Sequence, residues 1–237
     1  MNDSTALVTG ANKGIGKEIA RQLADTGLTV YIGSRDRERG QRAVEEIGGR
    51  ARLLVVDVTD AVSIAEAVRH IDTLDILVNN AGVGAGEATP VDTDTQDLRR
   101  TFETNVFAVL AVTNAFLPAL RRSERPRIVN VSSSTGSLTR ATASEDQARQ
   151  TGGFAAYRAS KTALNALTVF YAQALAGEGF KVNAHAPGLR RTELNERARS
   201  AGADPAEGAT GAVRLALLPD DGPNGGYFDW DGTPLPW

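Results

Sequence analysis

The 237-residue chain contains no cysteine, one methionine, two histidines and only four lysines, at positions 13, 17, 161 and 181. Without cysteine there is no disulfide, no thiolate nucleophile and no cysteine-ligated zinc. Histidine occurs only at 70 and 185, with no carboxylate cluster near either, so no metal site is expected and His185 reads as a strand residue. Acidic side chains outnumber basic ones, 29 to 26, which leaves no basic footprint for nucleic acid or an anionic membrane. No apolar segment approaches the roughly 18 residues of a membrane span. The opening MNDSTALVTG also lacks the basic head and long apolar run of a signal peptide. A soluble, cytoplasmic protein with neither nucleic-acid nor membrane partners is expected.

A hydrophobic fraction of 41% is enough for one domain with a sizeable core. Short β-branched or leucine-rich runs alternate with longer helical patterns. The runs are ALVTG (6–10), LTVYIG (28–33), RLLVVDV (52–58), DILVNNAG (75–82), RIVNVSSS (127–134), VNAHAPG (182–188) and GGYFDW (225–230). Helical patterns fall near 15–25, 38–47, 61–70, a long stretch ending near 122, the stretch opened by YRASK (157–161), and 205–218. Strand–helix alternation throughout predicts a single α/β domain over 1–237, a doubly wound (Rossmann) parallel sheet covered by helices on both faces. Ligands of such sheets lie beyond the carboxyl ends of the strands, where this chain concentrates glycine, asparagine and serine.

TGANKGIG (9–16) follows the first strand and opens the first helix. Glycine allows the tight turn, and the helix N-terminus offers free N–H groups to a phosphate. Gly10, Asn12, Lys13, Gly14, Ile15 and Gly16 are therefore candidate nucleotide contacts, although the spacing is G-x-x-x-G-x-G, unlike the G-x-G-x-x-G fingerprint. After strand four, the small residues Ala81 and Gly82 let the backbone approach a ligand, and the amides of Asn79 and Asn80 can bridge main-chain groups. In YRASK, Tyr157 and Lys161 lie four positions apart on one helical face. A stripe of Leu164, Leu167, Phe170, Tyr171, Ala174 and Leu175 places Tyr157 on the border of the apolar face and Lys161 just beyond. A cation within about 4–6 Å of a phenol favours its ionised form and is expected to draw its pKa down.

TGANKGIG, NNAG (79–82), the serines at 132–134, YRASK and PGLRRT (187–192) stand in the order found in the short-chain dehydrogenase/reductase family, which the chain resembles along almost its whole length. The resemblance implies a nicotinamide dinucleotide as cofactor and a small-molecule carbonyl or alcohol as substrate. It makes Tyr157 the proton donor, and Lys161 the charge that tunes it and a further cofactor contact. Ser133 becomes the residue that orients the substrate carbonyl, with Ser132 and Ser134, which face the other way along a strand, left as the alternative. Asn105 matches a residue that holds a water in a proton relay. Asp57 and Val58, read as ending strand three, match the position that meets the adenine, and Pro187, Gly188 and Thr192 match the loop at the nicotinamide.

At the end of strand two, where an acidic residue would mark NAD preference, the chain has Ser34 and then Arg35, with Lys13 a second cation nearby. A 2′-phosphate favours cations, so NADPH is expected, with Asp36 leaving NADH possible. Segment 137–153 exceeds the usual family length before the catalytic helix, and SEDQARQ within it has helical propensity. It resembles an insertion of carbonyl reductase-like members that covers a dimerisation surface and borders the substrate, which favours a monomer over a tetramer. Leu189 and Arg190 stand where apolar or bulkier residues are frequent. The expected activity is NADPH-dependent reduction of an aldehyde, ketone or quinone. The alternatives are an NAD(P)-linked alcohol dehydrogenase running oxidatively, and a non-catalytic NADP-binding sensor. Trp230 and Trp237 are candidates to line the pocket or plug the core.

Overall fold

The computed structural model describes residues 4–84, 86–143 and 152–237. Seven parallel strands form one sheet in the order β3-β2-β1-β4-β5-β6-β7. They are β1 (Thr5–Thr9), β2 (Thr29–Ser34), β3 (Ala51–Val55), β4 (Ile76–Asn79), β5 (Arg127–Val131), β6 (Lys181–Ala186) and β7 (Tyr227–Asp229). The helices are α1 (Gly14–Asp25), α2 (Arg37–Ile47), α3 (Ala61–Val68), α4 (Thr95–Phe102), α5 (Ala108–Leu120), α6 (Leu138–Ala143), α7 (Ala155–Ala174), α8 (Glu196–Ala201) and α9 (Pro205–Ala216).

The sheet has two buried faces, which explains its nearly continuous apolar runs. In β1, Ala6 and Val8 join a core with Ile19, Leu23, Ala209 and Leu215 from α1 and α9, while Leu7 joins the opposite core with Ile64, Phe116, Leu120 and Leu175. Each fully buried large apolar side chain contributes about 1.5–3 kcal/mol. From β1 the chain runs outward to β3, then crosses back to place β4 on the other side of β1. This reversal opens a crevice at the carboxyl ends of β1 and β4.

Several boundaries differ from the pattern in the sequence. Strand β3 stops at Val55, so Asp57 and Val58 lie past it in a turn where Asp57 accepts from the Thr59 amide (2.9 Å) and hydroxyl (2.7 Å). The long central helix is interrupted by a π-turn over Glu103–Phe107. The run Thr95–Leu120 does have the length and composition of a membrane span, contrary to the expectation, but half of its most apolar stretch is buried inside the domain. Helix α8 has no counterpart in the sequence reading.

The helical wheel of α7 is also corrected. Its buried side is Ala156, Ser160, Lys161, Leu164, Asn165, Thr168 and Ala172, whereas Phe170 is 60% exposed. Lys161 therefore sits on the inward face and not beyond its border, whereas Tyr157, half-buried, stands at the edge of that face. The polar residues turn inward because hydroxyl and amide groups of the sheet meet them: Asn130 donates to Thr168 (2.9 Å) and Ser132 to Asn165 (2.6 Å). Of the insertion, α6 packs on the last residues of the chain, with the Thr139 amide donating to the Trp237 carbonyl (3.0 Å). SEDQARQ (144–150) lies outside the described residues.

Candidate active site

A cavity of about 990 Å³ opens along the carboxyl ends of the strands, and its wall includes Gly10, Asn12, Lys13, Gly14, Ile15 and Gly16 from the glycine turn. Arg35, Asp57, Val58, Asn80, Ala81, Gly82, Ser133, Tyr157, Lys161, Pro187, Gly188 and Thr192 complete the set of sequence candidates that share it. Asn79 and Asn105 do not line it.

The glycine turn is shaped by what presses on it. Gly10 has φ +63°, and a Cβ there would lie 3.0 Å from the Ala81 backbone; a Cβ on Gly16 would lie 2.2 Å from the Asn80 amide. Asn80 uses that gap to donate to the carbonyls of Thr9 (2.8 Å) and Gly10 (3.2 Å), while the Thr9 hydroxyl accepts from the amides of Asn80 and Ala81 (both 3.0 Å). Thr9, which the sequence reading passed over, thus ties β1 to the end of β4. Asn79 points inward instead, donating to Thr113 (3.0 Å) and Asn130 (2.9 Å).

Helices α2, α3, α4, α8 and α9 each begin with an Asp or Asn whose side chain caps the first turn. Helix α1 begins at Lys13 with no side-chain cap and no acidic residue in its first turn, so its N–H groups meet the cavity uncapped. That arrangement suits an anion. Lys13 is ion-paired with Glu193, and Arg35 is exposed on the same wall. Ser34 is buried, with its hydroxyl donating to the Asp36 carbonyl (2.7 Å). The Asp36 carboxylate is occupied as the α2 cap, 3.0 Å from the Arg39 amide and 3.3 Å from its guanidinium.

Ser133 shares the cavity wall with Tyr157 and stabilises its phenolate form, while its hydroxyl pairs with Thr135 Oγ1 (2.9 Å). Ser132 is buried against α7, so of the three serines it is Ser133 that meets Tyr157. A Cβ on Gly136 would come 2.8 Å from the Lys161 backbone, so this glycine lets the turn after Ser133 press directly on α7. Lys161 is 4% exposed; its Nζ donates to the Val131 carbonyl at the end of β5 (2.9 Å) and lies 5.7 Å from the Tyr157 ring centroid. Burial pushes the Lys161 pKa down to about 8.

Burial also raises the Tyr157 pKa above the ordinary tyrosine value, and the Ser133 hydrogen bond offsets this only in part. The expected lowering by Lys161 is therefore overridden, because desolvation disfavours both charges. Tyr157 carries its proton across the neutral range and is built as a donor.

Asn105 is fully buried in the π-turn, one layer behind Gly82. Its side chain accepts from the Val83 amide (2.9 Å) and donates to the Val83 carbonyl and to Ser160 (both 3.0 Å). The amide group is thus committed to holding the segment after β4. Tyr227 was missed by the sequence reading, since no local pattern marks it; its hydroxyl donates to the Ser133 carbonyl (2.5 Å), and its ring stacks on Trp237 at 5.1 Å. Trp230, 39% exposed, lies under Arg190. His185 is buried, bonded through Nε2 to the Gly208 carbonyl (2.7 Å), and held neutral by burial with a pKa of about 4.

Comparison with known proteins places this geometry. The sequence profile of the short chain dehydrogenase family matches residues 4–202. Salutaridine reductase of Papaver bracteatum is 36% identical over 295 aligned positions, covering 94% of this chain and 93% of that protein. The alignment is longer than the chain itself, so the relative carries segments this protein lacks. (−)-Isopiperitenone reductase of Mentha piperita is 34% identical, with 95% and 96% covered. The NADPH-bound carbonyl reductase from chicken fatty liver superimposes with a TM-score of 0.83 at 25% identity, over 100% of both chains.

Proposed function

This chain belongs to the short-chain dehydrogenase/reductase family of oxidoreductases, and from that premise we propose that it reduces the carbonyl of an aldehyde, ketone or quinone to the alcohol with NADPH. The observation that carries the reading is the cluster of Ser133, Tyr157 and Lys161 on one cavity wall, joined by a continuous cleft to the uncapped N-terminus of α1. The dinucleotide fits the wall by its chemistry: free N–H groups for its phosphates, on a turn that glycine keeps tight against Asn80 and Ala81. When bound it supplies a hydride to the carbonyl carbon.

The protein's own part is the proton and its placement. Ser133 donates a hydrogen bond to the carbonyl oxygen and orients it, and Tyr157 transfers its phenolic proton as negative charge develops there. A phenol held above its ordinary pKa keeps its proton at neutral pH, the form that a donor to the carbonyl oxygen requires. Lys161, anchored on Val131, keeps a second proton one helical turn behind.

NADPH preference is supported by Arg35 and Lys13 on the cavity wall, by Ser34 in the place of an acid, and by Asp36 being spent on the cap of α2. Apolar residues on the wall around Tyr157, among them Val83, Phe154, Leu189 and Leu194, suit a substrate with a hydrocarbon body.

NADPH and NADH oxidation followed by absorbance with a panel of cyclic ketones, aldehydes and quinones tests the reading. Turnover with NADPH is expected, with Tyr157→Phe lowering kcat/KM by roughly 10²–10⁴-fold, the range of general acid catalysis. Inactivity toward every carbonyl, or full activity of the variant, refutes it.

A further inference from the structure

Arg190, in the segment leaving β6, is 6% exposed. A buried guanidinium is costly unless it finds partners, and here it has a carbonyl, a carboxylate and an aromatic face. Nε donates to the Pro187 carbonyl (2.6 Å), one terminal nitrogen donates to the Glu207 carboxylate (3.0 Å), and the guanidinium carbon lies 4.7 Å from the centroid of the Trp230 ring. Space for it comes from two glycines. A Cβ on Gly208 would fall 2.7 Å from Arg190 Cγ, and one on Gly202 would fall 2.2 Å from the Arg190 carbonyl carbon.

The main chain is fastened as well: Arg190 and Ala203 form a parallel bridge, with the Arg191 amide donating to the Ala203 carbonyl (2.8 Å) and the Ala203 amide to the Leu189 carbonyl (3.1 Å). One side chain therefore joins three separate pieces: the turn after β6, the first turn of α9, and the residue after β7. The turn it holds contains Gly188 at φ +72° and leads to Thr192, both on the cavity wall.

We propose that Arg190 is a positioning residue that fixes segment 187–192, which matches the family's loop at the nicotinamide, on the cavity wall. It thereby orders the nicotinamide half of the cofactor and leaves the adenosine half, held by the glycine turn and Arg35, independent of it. This rests on the dinucleotide reading above. It explains why a cation is buried in a loop that makes no use of its charge toward solvent: the fork of the guanidinium reaches a carbonyl, a carboxylate and an aromatic face at once, which no apolar side chain can do.

The test compares binding of NADPH with binding of 2′,5′-ADP, which has the adenosine half alone, by calorimetry for wild type, Arg190→Met, Arg190→Lys and Glu207→Gln. Arg190→Met should weaken NADPH about tenfold, the equivalent of one hydrogen bond to a charged group, and leave 2′,5′-ADP unchanged. It should also lower kcat at saturating NADPH. Arg190→Lys should fall between Arg190→Met and wild type. Glu207→Gln, altered at a carboxylate 57% exposed, keeps the test open if Arg190→Met fails to fold, and should weaken NADPH alone by about two- to threefold.

Equal weakening of both ligands, as a merely structural role would give, or no weakening of either, overturns the proposal. Wild type that binds NADPH but reduces no carbonyl counts against the catalytic reading while leaving the binding comparison intact.

Discussion

Replacing Lys161 by methionine should make the protein inactive and, at neutral pH, relatively more stable than loss of a hydrogen bond alone would allow. Burial lowers the Lys161 pKa from 10.5 to about 8. Below pH 8 the folded and unfolded chains both carry the charge, and the folded state bears the full penalty, on the order of 3 kcal/mol. Between pH 8 and 10.5 the unfolded chain binds more protons than the folded one, so wild-type stability rises with pH relative to a variant that lacks the group, by about 1.4 kcal/mol per unit. Against this stands the Val131 carbonyl, which loses its donor in the variant at a cost of about 1–3 kcal/mol. Near pH 7 the two effects nearly cancel or leave the variant slightly ahead. Near pH 10 wild type should be ahead by an amount close to the hydrogen-bond cost. Urea unfolding of both proteins at pH 7, 8, 9 and 10 measures the difference directly, with other titrations common to both. A difference that does not change with pH, or one that moves in the variant's favour as pH rises, would show that Lys161 is not held in a desolvated site.

The same value predicts that kcat for carbonyl reduction declines once pH passes about 8, as Lys161 loses its proton, with a logarithmic slope approaching −1; a flat profile to pH 10 would remove Lys161 from the proton supply. Phe154 is the one non-glycine at positive φ among the described residues (+59°), immediately before α7 and on the cavity wall. Phe154→Gly relieves a conformation that costs roughly 1 kcal/mol, so the thermal midpoint should hold or rise while KM for an apolar ketone increases; a large fall in the midpoint would mean that the ring is needed for packing. Asn105→Ala leaves both main-chain groups of Val83 without their partner and should lower stability by about 2–4 kcal/mol in urea unfolding, and a loss under 0.5 kcal/mol would contradict the tether.

The doubly wound sheet was legible because each strand buries both faces, so apolar runs are nearly unbroken and the helices between them are amphipathic. The glycine turn, NNAG, the serines and YRASK were legible for a local reason: each fills a requirement of the few residues around it, a positive φ, a close approach or a one-turn spacing. Sequence pattern failed where the environment of a side chain comes from elsewhere. Phe170 belongs to the apolar stripe and is exposed, while Ser160, Asn165 and Thr168, outside that stripe, are buried, because the partners that satisfy them lie on other elements, among them Asn105, Ser132 and Asn130.

By itself, then, the sequence determined the order of elements, the carboxyl ends of the strands as the place of the site, and the residue types gathered there. Tertiary structure decided how those residues act. It turned Asp36 away from the cavity into a helix cap, put Asn105 behind the wall and not on it, raised the Tyr157 pKa where a neighbouring cation alone would have lowered it, and buried Arg190 beneath the loop after β6. Each of these outcomes depends on desolvation or on a partner distant in sequence, and neither quantity is carried by any local stretch of residues.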